Sequence, residues 1–255
     1  MRVPIYSLRK RGISQVVILS DLHIGAEHHC AERLAEAIEW ATEENAFVIL
    51  NGDLLENAIV EGKAPGDKLL DQAIWPTEQW KRALAMFSPF AERGKLLFGT
   101  RGNHDARTRR TGLIDLCDLL ITAMPKDVDY LDVGGLVRLQ CGDQVYTIAV
   151  QHGSQHSQDP YRENRRLAEV YPQAELIALG HNHHLGCEVD YHITTSESGE
   201  EEVGQRYLLR TGTFLGYPDY ARERSYRPRA MGCPIIRLSS SEHRIEVDCQ
   251  TLRWP

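Results

Sequence analysis

Five short fragments of this 255-residue sequence carry residue types that bind metal ions, and each follows an apolar run. They are Asp21-Leu22-His23, Gly52-Asp53, Gly102-Asn103-His104-Asp105, His152-Gly153 and Gly180-His181-Asn182-His183. Together they offer carboxylates, one amide and several imidazoles, and no thiolate. Such a mixed nitrogen and oxygen set suits Mn2+, Fe or Zn2+ better than a soft metal. Alternation along an extended backbone puts Asp21 and His23 on one side, where carboxylate and imidazole can grip one ion together. Asp53 follows a glycine that lets the chain turn sharply. We expect this carboxylate to bridge two metal ions on which the other fragments converge. Singly, each fragment reads as well as a strand-end turn or helix cap, where Asp and Asn are common. Five in succession, each behind a predicted strand, favour one shared site.

Positioning these residues takes strands that end together. Residues 15–20, 47–50 and 95–98 are short continuous apolar runs, which reads as a parallel sheet buried on both faces. Open α/β folds place their ligands at the carboxyl edge of such a sheet. A helix is predicted over 30–44, where Leu34, Ala37, Ile38 and Ala41 fall at helical spacing. It returns the chain in a right-handed β-α-β crossover. Further helices are predicted over 77–92 and 111–124, the second stopped by Pro125. Residues 56–76, with Gly62, Pro65, Gly66 and Pro76, read as a loop. Beyond these the texture turns to strands, predicted at 128–131, 136–141, 145–151, 176–179, 187–194, 206–211, 233–238 and 243–249. A basic helix near 161–171 interrupts them, and the acidic segment 196–202 reads as a solvated hairpin tip. The order suggests two sheets face to face with helices outside. No repeat or linker divides the chain. Residues 1–255 are therefore expected to form one domain, with the motifs within 15–184 and 185–255 completing the second sheet.

Composition sets limits. With 42% hydrophobic and 25% charged residues, a globular core needs no disulfide or structural metal. A net charge of −7 argues against a general nucleic-acid coat. The six cysteines are scattered, with no C-x-x-C pair, as expected of reduced thiols in a cytosolic protein. Residues 1–14 lack the apolar core of a signal peptide, and no run reaches the ~18 apolar residues that span a bilayer. A cytoplasmic location is expected. Arginines gather beside the motifs: Arg101, Arg107, Arg109 and Arg110, then Arg162, Arg165 and Arg166, then Arg222, Arg224, Arg227 and Arg229. They suggest a positive rim on an acidic body, and guanidinium forks suit phosphate. Arg101 and Arg107 are the expected substrate contacts. Tyr217, Tyr220 and Tyr226 lie in the last cluster, where stacking on a base competes with ordinary packing.

In this order the fragments resemble the calcineurin-like metallophosphoesterases, whose pattern D-x-H, G-D, G-N-H-[D/E], H and G-H-x-H is complete here. The resemblance spans about residues 15–184. It implies a four-layer αββα sandwich of two mixed β-sheets flanked by helices, and hydrolysis of phosphoester bonds. By motif position it implies that Asp21, His23, Asp53 and His183 hold one divalent ion. Asp53, Asn103, His152 and His181 would hold a second. Mn2+ is the first candidate, with Fe, Zn2+ and Ni2+ behind it. Two such ions about 3.5–4 Å apart clamp phosphoryl oxygens and make a water acidic enough to attack phosphorus in line. His104 is implied as general acid or transition-state stabiliser, and Asp105 is expected to orient its imidazole and keep it protonated.

The D-L-H-I-G and G-N-H-D stretches are similar to those of DNA-repair exonucleases and small phosphodiesterases. A phosphodiester of a nucleotide or nucleic acid is therefore the expected substrate. A phosphomonoesterase acting on a protein or small molecule is the alternative. A non-catalytic scaffold, as in the retromer subunit of similar fold, is a third reading, and the retained His104 stands against it. No membrane partner is expected, and the sequence leaves the oligomeric state open.

Overall fold

The computed structural model describes residues 2–9, 11–59, 72–155, 157–195, 198–217, 222–223, 225 and 227–249. Residues 60–71 of the expected loop, 196–197 of the hairpin tip, Tyr220, Arg224 and Tyr226 lie outside these. Among the described residues, twelve strands form two six-stranded sheets. The first sheet runs in the order β12 (Ile245–Asp248), β11 (Ile235–Ser239), β2 (Ile13–Leu19), β3 (Phe47–Asn51), β4 (Leu96–Thr100), β5 (Asp129–Tyr130). The second is β1 (Ile5–Ser7), β6 (Gly135–Cys141), β7 (Gln144–Gln151), β8 (Leu176–Leu179), β10 (Glu201–Thr211), β9 (Leu185–Thr195). Strands β2 to β5 are parallel, and so are β7, β8 and β10. Both sheets are mixed, because β11 lies antiparallel to β2, β6 antiparallel to β7, and β9 antiparallel to β10.

Side-chain alternation along β2 and β3 divides the core. Val16, Ile18, Phe47 and Ile49 point one way and meet Leu139, Tyr146, Ile148 and Ala178 of the second sheet. Val17, Leu19, Val48 and Leu50 point the other way. They meet Leu34 of α1 (Ala31–Glu43), Ala83 and Phe87 of α2 (Pro76–Glu92), and Leu120 of a later helix. The outer face of the second sheet packs Ile177 and Leu208 against Ala168 of α5 (Arg162–Val170). The layers therefore run helix, sheet, sheet, helix.

Three expectations change. The helix predicted over 111–124 is two helices, α3 (Ala106–Gly112) and α4 (Leu116–Thr122). Leu113 turns into the left-handed region at φ 57° and ends the first. Asp115 starts the second by accepting from the amides of Cys117 and Asp118, both at 3.1 Å. Strand β1 carries no apolar run and was not expected. Residues beyond 185 serve both sheets: β9 and β10 lie in the second, whereas β11 pairs with β2 and carries β12 into the first. No helix of the described residues is long and apolar enough to cross a membrane.

Candidate metal centre

The carboxyl ends of β2, β3, β4, β7 and β8 meet at one rim, and backbone pairing continues past the strands to lace them. Asp21 N donates to Gly52 O and His23 N to Asp53 O, both at 3.0 Å, while Gly180 N donates to His152 O at 3.0 Å. Asn51 joins the two sheets. Its Nδ2 donates to Gln151 O at 2.9 Å, and its carbonyl accepts from His152 Nδ1 at 2.9 Å and Ser20 Oγ at 2.8 Å. Five of the seven expected ligands sit in the left-handed region: Asp21 (φ 51°), His23 (49°), Asp53 (48°), His181 (69°) and His183 (58°). Such conformations cost roughly 1–3 kcal/mol each and persist only where the surroundings impose them. Here they turn side chains off the strand directions into one space. Close stacking of the loops needs Gly102, since a Cβ there would strike the amide and carboxylate of Asp53.

The donors come together in overlapping groups. Asp21, His23 and His183 form one set with ligand atoms within 4.8 Å of one another; Asp53, His152 and His181 form another; His23, Asp53 and His104 form a third. His183 Nε2 lies 3.4 Å from Asp21 Oδ1 and 3.3 Å from His23 Nε2. His152 Nε2 lies 3.2 Å from Asp53 Oδ2. Asn103 presents a buried Oδ1 with no hydrogen-bond partner, a cost that a coordinated cation would remove. The carboxylates are held from behind. His104 N donates to Asp53 Oδ1 at 2.7 Å, and His181 N and Ser20 Oγ donate to Asp21 Oδ2 at 3.0 and 2.6 Å.

The electrostatics ask for positive charge at the same place. Burial pushes the Asp21 carboxyl up, but the charges of His152 and His183 outweigh it and hold it at about 2. Burial pulls the His152 imidazole down, yet Asp53 and Asp21 raise it to about 10. Two buried carboxylates thus draw a proton onto a neighbouring imidazole, and a divalent cation meets the same demand while displacing that proton. Donor types, burial and charge all fit divalent metal.

Around His104 the structure corrects two expectations. The Asp105 carboxylate turns away from the His104 ring and accepts from the amides of Gly102 at 2.9 Å and Leu55 at 3.3 Å. Burial and the Asp53 charge push it up to about 6. It braces the loop. The carboxylate that faces the ring is Glu56, whose Oε2 lies 3.2 Å from His104 Nδ1 and 3.0 Å from His23 Nδ1. Burial raises Glu56, but His104 and His23 outweigh it and hold it below its ordinary value. Burial likewise pulls His104 down, while Asp53 and Glu56 raise it above its ordinary value. Arg101 is not free for substrate either, because its guanidinium pairs with Asp132 at 2.9 Å and Asp115 at 3.2 Å. Arg107 stays at the site. Its Nη1 donates to Glu56 Oε1 at 3.0 Å, and its Nη2 lies 3.1 Å from His104 Nε2.

The family model for calcineurin-like phosphoesterases matches residues 14–187. The chain belongs to that family. Membership makes it a metal-dependent phosphoesterase in general terms and agrees with two mixed sheets between helices. Solved structures with related shape include vacuolar protein sorting 29 of Cryptosporidium parvum, at 15% identity and TM-score 0.43, covering 93% of this chain and 97% of that one. Vps29 of Entamoeba histolytica, solved with Zn2+, matches at 13% identity and TM-score 0.38 over 92% of this chain and 97% of that chain. A predicted phosphoesterase of Streptococcus pneumoniae matches at 12% identity and TM-score 0.38, over 92% and 88%. Likenesses this distant carry no argument about activity. No curated protein matches the chain.

Proposed function

We propose that this chain is a phosphodiesterase acting on nucleotides or nucleic acid with two divalent ions, Mn2+ first among the candidates. One ion would be held by Asp21, His23, Asp53 and His183, the other by Asp53, Asn103, His152 and His181. Residues 1–255 act in this reading as one phosphoesterase domain. The observation that carries it is the gathering of these donors at one strand edge, with Asn103 Oδ1 buried and unpartnered. When bound, the ions polarise phosphoryl oxygens and lower the pKa of water.

The remaining work falls to the chain's own side chains. The bond from His152 Nδ1 to Asn51 O leaves Nε2 as the ligating atom, and Glu56 does the same for His23. His104 is likewise tied through Nδ1, so its Nε2 can pass a proton to the leaving oxygen. Arg107 offers a guanidinium beside that nitrogen, where a phosphate oxygen can accept from it. A polyanionic substrate is supported by Arg162, Arg166, Arg227 and Arg229, which remain exposed.

With Mn2+ added, purified protein should hydrolyse bis-p-nitrophenyl phosphate faster than p-nitrophenyl phosphate, and should degrade single-stranded DNA or cyclic nucleotides. The opposite ester preference would favour a phosphomonoesterase. A protein that binds both ions and cleaves none of these would be a scaffold.

A further inference from the structure

One buried cation has no part in the chemistry above. Arg210, the penultimate residue of β10, is 1% exposed. Its Nε donates to Pro160 O at 2.5 Å and its Nη1 to Gly180 O at 3.0 Å, while Nη2 lies 3.6 Å from Glu163 Oε2. Glu163, on α5, accepts in turn from Ser154 N through Oε1 at 2.9 Å. Asn182 Nδ2 donates to the same Pro160 carbonyl at 3.2 Å.

Stability does not explain this arrangement. A buried ion pair is commonly no better than well-packed apolar residues of the same volume. What the guanidinium does is connect loops. Gly180 stands directly before His181, and Ser154 stands two residues after His152. One planar fork thereby spans, through Glu163, the loops that carry both imidazoles.

We propose that Arg210, with Glu163, is a positioning residue for the metal centre, fixing the His152–Ser154 loop and the Gly180–His181 peptide so that His152 and His181 can share one ion with Asp53. This rests on the metal-dependent reading above. Groups behind the ligands orient them, and their loss typically costs about 10–100-fold in metal affinity.

The test titrates the full chain with Mn2+ by calorimetry and electron paramagnetic resonance. The double variant Arg210→Met/Glu163→Gln leaves no unpaired buried charge. Wild type should bind two ions. The double variant should keep one near wild-type affinity and weaken the other about 10–100-fold, so that the spectrum of a coupled pair gives way to that of isolated Mn2+. Arg210→Lys, which keeps the charge but only one donor nitrogen and not the planar fork, should recover part of the loss. A folded double variant with both affinities unchanged overturns the proposal. So does equal weakening of both ions with a lowered Tm, which marks a role in the fold alone. If the double variant does not fold, Glu163→Gln decides: weakening of one ion supports the proposal and unchanged binding overturns it. A wild-type chain that binds no Mn2+ defeats the metal reading together with this one. Normal binding in wild type and variants alike defeats only the role of Arg210.

Discussion

The two sheets supply unlike halves of the rim. Loops of the first bring Asp21, His23, Asp53 and Asn103, and its carboxylates are held by N–H and O–H donors, as in His104 N to Asp53 at 2.7 Å. Loops of the second bring His152, His181 and His183. There the support comes from carbonyls, with Asn51 O taking the His152 Nδ1–H and Gly180 O anchored by Arg210. The difference follows from the chemistry of the ligands. A carboxylate that must face two ions needs its lone pairs aimed by donors, whereas an imidazole needs an acceptor to fix which nitrogen is bare. Damage at Asp53, the one donor assigned to both ions, should therefore disturb both, and damage to an imidazole of the second half chiefly one.

Asp53→Asn is the harshest test of that contrast. Asp53 shares one donor set with His152 and His181 and another with His23 and His104. The amide keeps the shape and removes the charge, so both ions should be lost and hydrolysis should fall to background. Metal content after gel filtration and turnover with added Mn2+ measure the two effects. Retention of one ion at full affinity would show that Asp53 serves a single ion and that the halves are independent.

Much of the site was legible because its grammar is local. An apolar run, a glycine and a ligand type stand within a few residues at Asp53, Asn103 and His181, and continuous burial of β3 and β8 is visible in the run itself. The parts that escaped depend on what faces what across the rim. Glu56 lies three residues beyond Asp53 in a stretch read as loop, and only the folded chain sets it between His23 and His104. Asp105 looked like the partner of His104 because it is adjacent, but consecutive residues in a tight turn point apart. Arg101 looked like a free cation, and Asp115 and Asp132 claim it from 14 and 31 positions away. The break before α4 was within reach, since Gly112 followed by Asp115 is a stop and a cap in succession.

His104→Ala separates chemistry from coordination within the first half. Its Nδ1 faces Glu56, and in the proposed chemistry its Nε2 carries the proton, which leaves neither nitrogen for a metal ion. Both ions should remain, and the rate should fall about 10²–10⁴-fold, the usual loss on deleting a general acid. Loss of an ion would instead promote the set His23, Asp53 and His104 to a coordination site and redraw the boundary between the halves.

Glu56→Gln should have the smallest effect and the sharpest signature. Gln has one acceptor oxygen where Glu56 uses Oε2 for His23 and His104 and Oε1 for Arg107, so either the two imidazoles or the guanidinium lose an acceptor, and the carboxylate charge goes in both cases. A rate loss on the order of 10-fold is expected, in line with other groups that support ligands from behind. The pH profile then tells which imidazole suffers. Glu56 helps to raise His104, and a general acid works only while protonated, so activity fails as pH climbs through the His104 pKa. Removing the Glu56 charge lowers that pKa, and the alkaline fall in kcat should move to lower pH. If the alkaline limb stays in place while Mn2+ affinity drops, Glu56 acts through His23, and the proton donor must be sought elsewhere on the rim.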